Sequence, residues 1–230
     1  CVIKSANSST VSGAIAIGGT TGTSGNDSIY ISNNNIRGYA APSTLANCIF
    51  AQGQSLTAQN DYITVSGNNF YQFTTNGIIC TSTNNGNGSF WNITGNSFYD
   101  TTATVSTSAI TCINLQPSST TSNPTAFNYT VSGNYFGGSA PLCAGSPWAI
   151  TAASGSLTAI ALQTSAGVSP TLVQNNIIQN INATGATYAI TGINTIGSGT
   201  YTIGGSALTG NTIGHASNVS SIRSLGNGVI

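Results

Sequence analysis

The stretch Val65-Ser66-Gly67-Asn68-Asn69-Phe70 decides the fold of this chain, because five further copies of its pattern occur along the 230 residues. In each copy a short strand-like run reaches an asparagine, and Phe or Ile follows two residues later. The six asparagines are Asn34, Asn68, Asn96, Asn134, Asn175 and Asn211. The intervals between them are 34, 28, 38, 41 and 36 residues. Self-similarity at such a period is typical of a solenoid, in which each copy forms one turn and stacks on the next.

A second pattern, one Ile flanked by small residues, occurs about half a turn later. It aligns on Ile15, Ile49, Ile78, Ile110, Ile150 and Ile190, with a further copy at 228–230. Together the two patterns predict about seven turns, each with two strands, a Gly-Asn corner and a variable loop. Met is absent and only six residues are charged, while Ser, Thr, Gly and Asn favour strands and turns over helices. The prediction is therefore an all-β fold.

Asparagine suits a sharp corner because it tolerates the left-handed backbone conformation. Its side-chain amide can also bond the equivalent amide of the next turn, about 4.8 Å away. Phe70, Phe98 and Phe136 follow at the same offset and are expected to stack in the core. This pattern resembles the right-handed parallel β-helix family, the pectate-lyase-like solenoids. The resemblance implies one domain over residues 1–230, a β-helix of about seven turns with an internal Asn ladder.

Charge is scarce, and this narrows the function classes. Only about 3% of the residues are charged, against about 25% in an ordinary soluble domain. Three Lys and Arg residues in total argue against nucleic acid as a partner, since phosphate binding needs basic clusters. No apolar run approaches the roughly 20 residues of a membrane span. Neither end supplies a cap, so we expect a segment of a longer chain or a subunit covered by neighbours.

Five cysteines, at positions 1, 48, 80, 112 and 143, follow the turn length. Cys80 and Cys112 each lie two residues after an aligned Ile, where small residues stand in later turns. The interpretation favoured is a column of small buried residues, and a disulfide between Cys80 and Cys112 is the alternative that the turn spacing allows. With one histidine, His215, and no Cys-x-x-Cys motif, the sequence predicts no metal site of the zinc type.

Asp27 and Asp61 are the only carboxylate pair that the repeat brings together. Each precedes its asparagine by seven residues, so they are expected on adjacent turns. Two neighbouring carboxylates can perform acid–base work on a glycan or hold calcium. Asp is also a common turn residue, and turn chemistry is the interpretation we favour. The prediction is therefore no catalytic residue and no cofactor, with Asp27 and Asp61 as the weak candidates for catalysis or for calcium.

Aromatic residues recur near one strand, at Tyr30, Tyr62, Trp91, Tyr129 and Tyr201. An outward column could stack against sugar rings, although packing of alternate members into the core is favoured. The composition is similar to the repetitive β-helical regions of large bacterial secreted adhesins. That resemblance implies an extracellular, non-enzymatic structural or adhesive rod. Its expected partners are further copies of itself, neighbouring domains or cell-surface glycans, which it would contact through loops such as 116–127 and 138–147. The alternative is a polysaccharide-binding or polysaccharide-cleaving β-helix of the tailspike or pectinase type.

Overall fold

The computed structural model describes residues 1–19, 22–53, 58–82, 88–116, 126–167, 169–215 and 221–224. Within these ranges the chain forms 22 strands and no helix. The strands make three large parallel sheets and one small sheet. The all-β class that the composition predicts is therefore confirmed. The predicted copy at 228–230 and most of the loop 116–127 lie outside the described residues.

The first sheet carries the segments that follow the repeated asparagines. Its strands, in spatial order, are β1 (Val2–Ser5), β4 (Asn35–Gly38), β7 (Asn69–Tyr71), β10 (Ser97–Tyr99), β13 (Tyr135–Phe136), β17 (Ile177–Ile178) and β21 (Thr212–Ile213). The third sheet carries the segments just before those asparagines. Its strands are β3 (Tyr30–Ser32), β6 (Thr64–Ser66), β9 (Asn92–Thr94), β12 (Thr130–Ser132), β16 (Thr171–Gln174) and β20 (Tyr201–Ile203).

The second sheet holds the longest strands and the Ile-centred pattern. Its strands are β2 (Ile15–Ile17), β5 (Asn47–Gly53), β8 (Asn76–Ser82), β11 (Ala109–Leu115), β15 (Ser154–Thr164) and β19 (Thr187–Gly197). A fourth, small sheet consists of β14 (Trp148–Ile150), β18 (Ile181–Ala183) and β22 (Ile222–Ser224). The chain passes the first, second and third sheets in the same order each time, and each strand pairs in parallel with its counterpart one repeat earlier. This order is compatible with a chain that winds repeatedly around one core.

The register of the second sheet corrects the alignment of the Ile-centred pattern. Ile49 pairs with Ile78 and Ile78 pairs with Ile113, so Ile110 lies three residues out of the predicted position. Ile150 belongs to the fourth sheet instead. Ile190 is also three residues out, since Ile193 is the residue that pairs with Ile160 and continues the row through Ile113. The prediction was wrong at Ile110, Ile150 and Ile190 because several isoleucines with small neighbours occur in one segment, and only the hydrogen bonds between long strands select one of them.

The core lies between the sheets and contains a continuous aromatic stack. Phe70 and Phe98 have ring centroids 4.9 Å apart, and Phe98 and Phe136 have centroids 5.0 Å apart. All three side chains are buried and occupy one register position of the first sheet. Gly77 in the second sheet faces this stack, because a Cβ there would lie 2.7 Å from the Phe98 ring and 2.5 Å from the carbonyl oxygen of Cys112. The parallel pairing thus places equal rings at a spacing close to that between strands.

The corner between the third and first sheets has a left-handed residue directly before the repeated asparagine. Gly67, Gly95 and Gly133 have φ of 63°, 64° and 66° there. Asn175 has φ of 55° and occupies the same place in its own repeat. The residue that corresponds to Asn68, Asn96 and Asn134 is consequently Asn176, and the assignment of Asn175 to the repeated asparagine position was wrong. Two adjacent asparagines left the sequence ambiguous, because both glycine and asparagine adopt the left-handed conformation.

Candidate functional site

Six asparagine side chains, hereafter the amide row, are bonded one to the next between the third and first sheets. Asn96 shows the pattern: its Oδ1 accepts hydrogen bonds from the backbone N–H of Asn68 at 2.9 Å and from Asn68 Nδ2 at 3.1 Å. Its Nδ2 donates to the Val65 carbonyl at 2.8 Å and to Asn134 Oδ1 at 3.0 Å. The amide row comprises Asn34, Asn68, Asn96, Asn134, Asn176 and Asn211. Most of its polar atoms are buried, so their pairing removes a large desolvation cost and is structural in role.

The structure brings Asp27 and Asp61 onto adjacent repeats and gives their carboxylates a turn role. Asp27 Oδ1 accepts a hydrogen bond from the backbone N–H of Asp61 at 3.0 Å, and Asp61 Oδ1 accepts one from the backbone N–H of Ser89 at 2.5 Å. Burial raises the pKa of the Asp61 carboxyl, the Ser89 N–H lowers it, and the charge of Asp27 raises it. Within the described part of the chain, no hydrogen bond involves the second oxygen of either carboxylate.

No cluster of three or more His, Cys, Asp or Glu side chains suited to a metal ion occurs among the described residues. The absence of a cofactor stays a prediction, with calcium at Asp27 and Asp61 as its alternative. Likewise, the described residues include no helix long and apolar enough to cross a membrane.

Next to these carboxylates lies a group of rings that we call the aromatic corner, formed by Tyr62, Phe90 and Phe127. The Tyr62 and Phe90 rings are stacked, with centroids 4.7 Å apart and an interplanar angle of 4°. Phe127 meets Phe90 edge-on at 5.5 Å. Tyr62 is 53% exposed and Phe90 is 36% exposed. An exposed ring pair of this kind offers an apolar, polarisable surface to a ligand.

The backbone of the aromatic corner holds its rings outward at a cost. Tyr62 and Phe90 have φ of 56° and 61°, a left-handed conformation that is rare for bulky side chains and costs on the order of 1–3 kcal/mol. One repeat earlier the same position is Ser28, also with positive φ. Since a serine stands there, no described ring covers the second face of Tyr62.

The five aromatic residues singled out from the sequence do not form one outward column. Tyr30 is 74% exposed, whereas Trp91 and Tyr129 are buried and donate hydrogen bonds to the carbonyls of Asn60 and Gly88. Tyr62 alone joins the aromatic corner. Phe90 and Phe127 were not predicted from the sequence. The available signal was their offset from the amide row, because Tyr62 and Phe90 each lie six residues before an asparagine of the row and Phe127 lies seven before Asn134.

A second candidate site is the acidic cleft, an opening of about 100 Å³ beside Asp100. Its floor includes the buried side chains of Phe73, Thr104 and Ile110, and its rim includes the exposed Val105. Asp100 is 9% exposed. Burial is the main cause that raises the pKa of its carboxyl to about 6, against hydrogen bonds from Thr101, Thr102 and Thr104 that lower it. No local pattern around Asp100 signals that three separate segments of the chain, at 42–43, 73–74 and 100–110, line one cleft.

The described cysteines have free thiols, so Cys80 and Cys112 are not joined in a disulfide. Cys80 pairs in register with Leu115, three residues beyond Cys112. At about 3.3 Å per residue this separates the two by about 10 Å along the strand, and a disulfide needs Cα atoms within about 7 Å. Burial raises the pKa of the Cys80 thiol to about 12, so it is a poor nucleophile.

Comparisons of this chain with protein-family models, with curated proteins and with solved structures find no match.

Proposed function

We propose that the chain is a right-handed parallel β-helix of about seven turns with an internal Asn ladder, and that it serves as a stiff structural segment of an extracellular surface protein. The amide row is the observation that carries this proposal, since it joins six successive repeats by hydrogen bonds, of which the three central ones are buried. Nearly all parallel crossover connections in proteins are right-handed, which supports the handedness. Rise per turn of about 4.8 Å gives a rod on the order of 30–35 Å long.

The exposed edge strands of the third sheet support the further proposal that the rod self-associates through its ends. In the third sheet, β3 and β20 are the edge strands of the described chain, and unpaired edges are templates for pairing. Ile203 of β20 pairs with Val173 of the buried column, yet it is 51% exposed. Net charge is zero, so copies do not repel one another. The next turn of a longer chain, or a neighbouring subunit, would cover this edge.

Electron microscopy of the intact native protein tests the structural proposal, together with the mass of the intact polypeptide. Fibres, or a chain far heavier than 23.1 kDa, agree with a structural segment. Discrete particles of a 23 kDa chain contradict it. For end-to-end association, sedimentation of Ile203→Lys is compared with Asn92→Lys, which places the same charge on an exposed position of β9 in the middle of the same sheet. We expect only Ile203→Lys to dissociate the assembly, and equal sedimentation of the two variants would refute pairing at β20.

Polysaccharide binding is the second candidate, and the exposed aromatic corner favours it. A sugar ring could stack on the free face of Tyr62 while its hydroxyls donate hydrogen bonds to the unused oxygens of Asp27 and Asp61. Aromatic faces contribute contact area at low entropic cost, and carboxylates orient hydroxyl groups. Because Asp27 and Asp61 serve turns, binding without cleavage is the simpler activity.

A screen of neutral and acidic oligosaccharides tests this candidate. Tyr62→Ala should remove binding, whereas Tyr30→Ala, which deletes a more exposed ring outside the aromatic corner, should leave it unchanged. If the protein cleaves a bound glycan and the Asp27→Asn, Asp61→Asn double variant does not, the two carboxylates take part in the cleavage. Binding that is indifferent to Tyr62→Ala excludes the aromatic corner as the glycan site.

A further inference from the structure

The acidic cleft contains a carboxylate whose hydrogen bonds are incomplete. Asp100 Oδ1 accepts hydrogen bonds from the backbone N–H of Thr102 at 3.2 Å and from its hydroxyl at 3.3 Å. Oδ2 accepts a hydrogen bond from the Thr104 hydroxyl at 3.4 Å, which is long for a bond to a charged oxygen, and the backbone N–H of Thr101 also faces the carboxylate. Thr104 is held in place because its Oγ1 also accepts a bond from Trp148 Nε1 at 2.9 Å. Oδ2 is therefore the least satisfied oxygen of a carboxylate that is nine-tenths buried.

Nothing in the described part of the chain neutralises this charge. Asp100 forms no ion pair there, and the other residues that line the cleft carry no titratable group. The chain has only three Lys and Arg residues in all. Of these, Arg37 is engaged elsewhere, since its Nη1 donates to Gln72 Oε1 at 2.8 Å and its guanidinium lies over the Tyr71 ring. A buried, unpaired carboxylate is costly, and a cation from outside the chain would lower that cost.

The shape of the cleft narrows the chemistry of that cation. Around Asp100 the walls are apolar, from Phe73, Val105 and Ile110, with hydroxyl groups of Ser43 and Ser106 among them. A single carboxylate is too few ligands for a divalent metal. A guanidinium prefers both oxygens of a carboxylate, but Oδ1 already accepts two bonds from Thr102. The available volume of about 100 Å³ is several times what one water needs, and suits a short alkyl chain.

We propose that the acidic cleft binds a primary ammonium group carried on a short alkyl chain, with the ammonium at Asp100 Oδ2 and the alkyl part against Phe73, Val105 and Ile110. A free alkylamine and the side chain of a lysine from a partner share this chemistry. The site is independent of the aromatic corner and of the amide row, because it uses none of their residues.

Isothermal titration of the folded protein with n-butylammonium at pH 7.5 tests the proposal, and n-butanol is the matched uncharged ligand. We expect saturable binding of the ammonium and at least tenfold weaker binding of the alcohol. Burial raises the pKa of Asp100 to about 6, so at pH 5 about a tenth of the carboxyl is ionised and the ammonium should bind about tenfold more weakly. Equal binding of the two ligands, or no binding at pH 7.5, would overturn the proposal.

Two variants locate the site. Asp100→Asn should weaken butylammonium binding at least tenfold, whereas Asp27→Asn removes a carboxylate far from the cleft in sequence and should leave binding unchanged. Val105→Trp is a second, independent variant in case Asp100→Asn fails to fold. Its large side chain fills the exposed rim of the cleft and should prevent butylammonium from entering. Nα-acetyl-lysine amide, whose only ammonium is on the side chain, is titrated in parallel: tighter binding than butylammonium favours a partner's lysine, and weaker binding favours a free alkylamine. Unchanged binding in Val105→Trp refutes the assignment to this cleft.

Discussion

Removal of one amide from the middle of the amide row should destabilise the whole chain. Asn96→Ala deletes five side-chain hydrogen bonds: two accepted from Asn68, and three donated to the carbonyls of Val65 and Thr94 and to Asn134 Oδ1. Each contributes about 1 kcal/mol net. Asn134 Oδ1 keeps the bond from the backbone N–H of Asn96, and this recovers part of the loss. We therefore expect the free energy of unfolding to fall by about 3–4 kcal/mol.

Asn69→Ala is the matched control for this substitution. Asn69 lies one residue beyond Asn68, on the outer side of β7, and its amide is half-buried with one side-chain bond to Asn35 Oδ1 at 2.8 Å. Its loss should cost less than about 1 kcal/mol. Urea unfolding followed by circular dichroism gives both values if the slopes with denaturant agree. If the two substitutions cost the same within about 1 kcal/mol, buried amide pairing does not hold the repeats together.

A third substitution separates hydrogen bonding from packing. Asn96→Asp keeps the size of the side chain but, when ionised, has no proton for the three acceptors around it, so its pKa in the folded state should rise above the unfolded value of about 3.9. A raised folded pKa means that its stability is greatest below pH 4 and is lost as the pH rises through the folded pKa. Thermal melts between pH 4 and pH 7 should show this decline for Asn96→Asp and a smaller one for the unsubstituted protein. Parallel curves would refute the reasoning.

Three further outcomes follow from the core and the titratable groups. Gly77→Ala should lower the free energy of unfolding by about 1–3 kcal/mol in denaturant, because its Cβ would meet Phe98 and a backbone carbonyl. In the double variant with Phe98→Leu, part of that cost should be relieved. If the costs of the two substitutions simply add, the contact between Gly77 and Phe98 is refuted. The pKa of Asp100 is about 6 in the folded state, above its value in the unfolded chain. Its contribution to the free energy of unfolding is therefore complete below pH 4 and is lost as the pH rises through 6, a change of up to about 3 kcal/mol. Thermal melts across this pH range should show the change for the unsubstituted protein and not for Asp100→Asn. Brief iodoacetamide treatment of the native protein at pH 8 should modify the exposed Cys1 and leave buried thiols such as Cys48 unmodified, because burial raises the pKa of the Cys48 thiol. Rapid labelling of Cys48, detected by mass spectrometry, would contradict its burial.

The sequence by itself determined the class of the fold and much of its core. The spacing of the repeated asparagines and the phenylalanine two residues later located the third and first sheets, because a left-handed corner and an alternating strand depend only on a few neighbouring residues. Phe70, Phe98 and Phe136 could be placed in one column for the same reason. The Asp27 and Asp61 pair could be placed on adjacent repeats because both lie at one offset from the corner.

Only the tertiary structure decided the register and the sites. Asn176 rather than Asn175 belongs to the amide row, because two adjacent asparagines satisfy the local pattern equally and hydrogen bonds to neighbouring repeats select one. Ile113 rather than Ile110 continues the second sheet for the same reason. The acidic cleft encloses Asp100 with two loops that precede it by about 30 and about 60 residues in the sequence. Burial of a charge depends on which distant segments surround it, and no local pattern of residues encodes that.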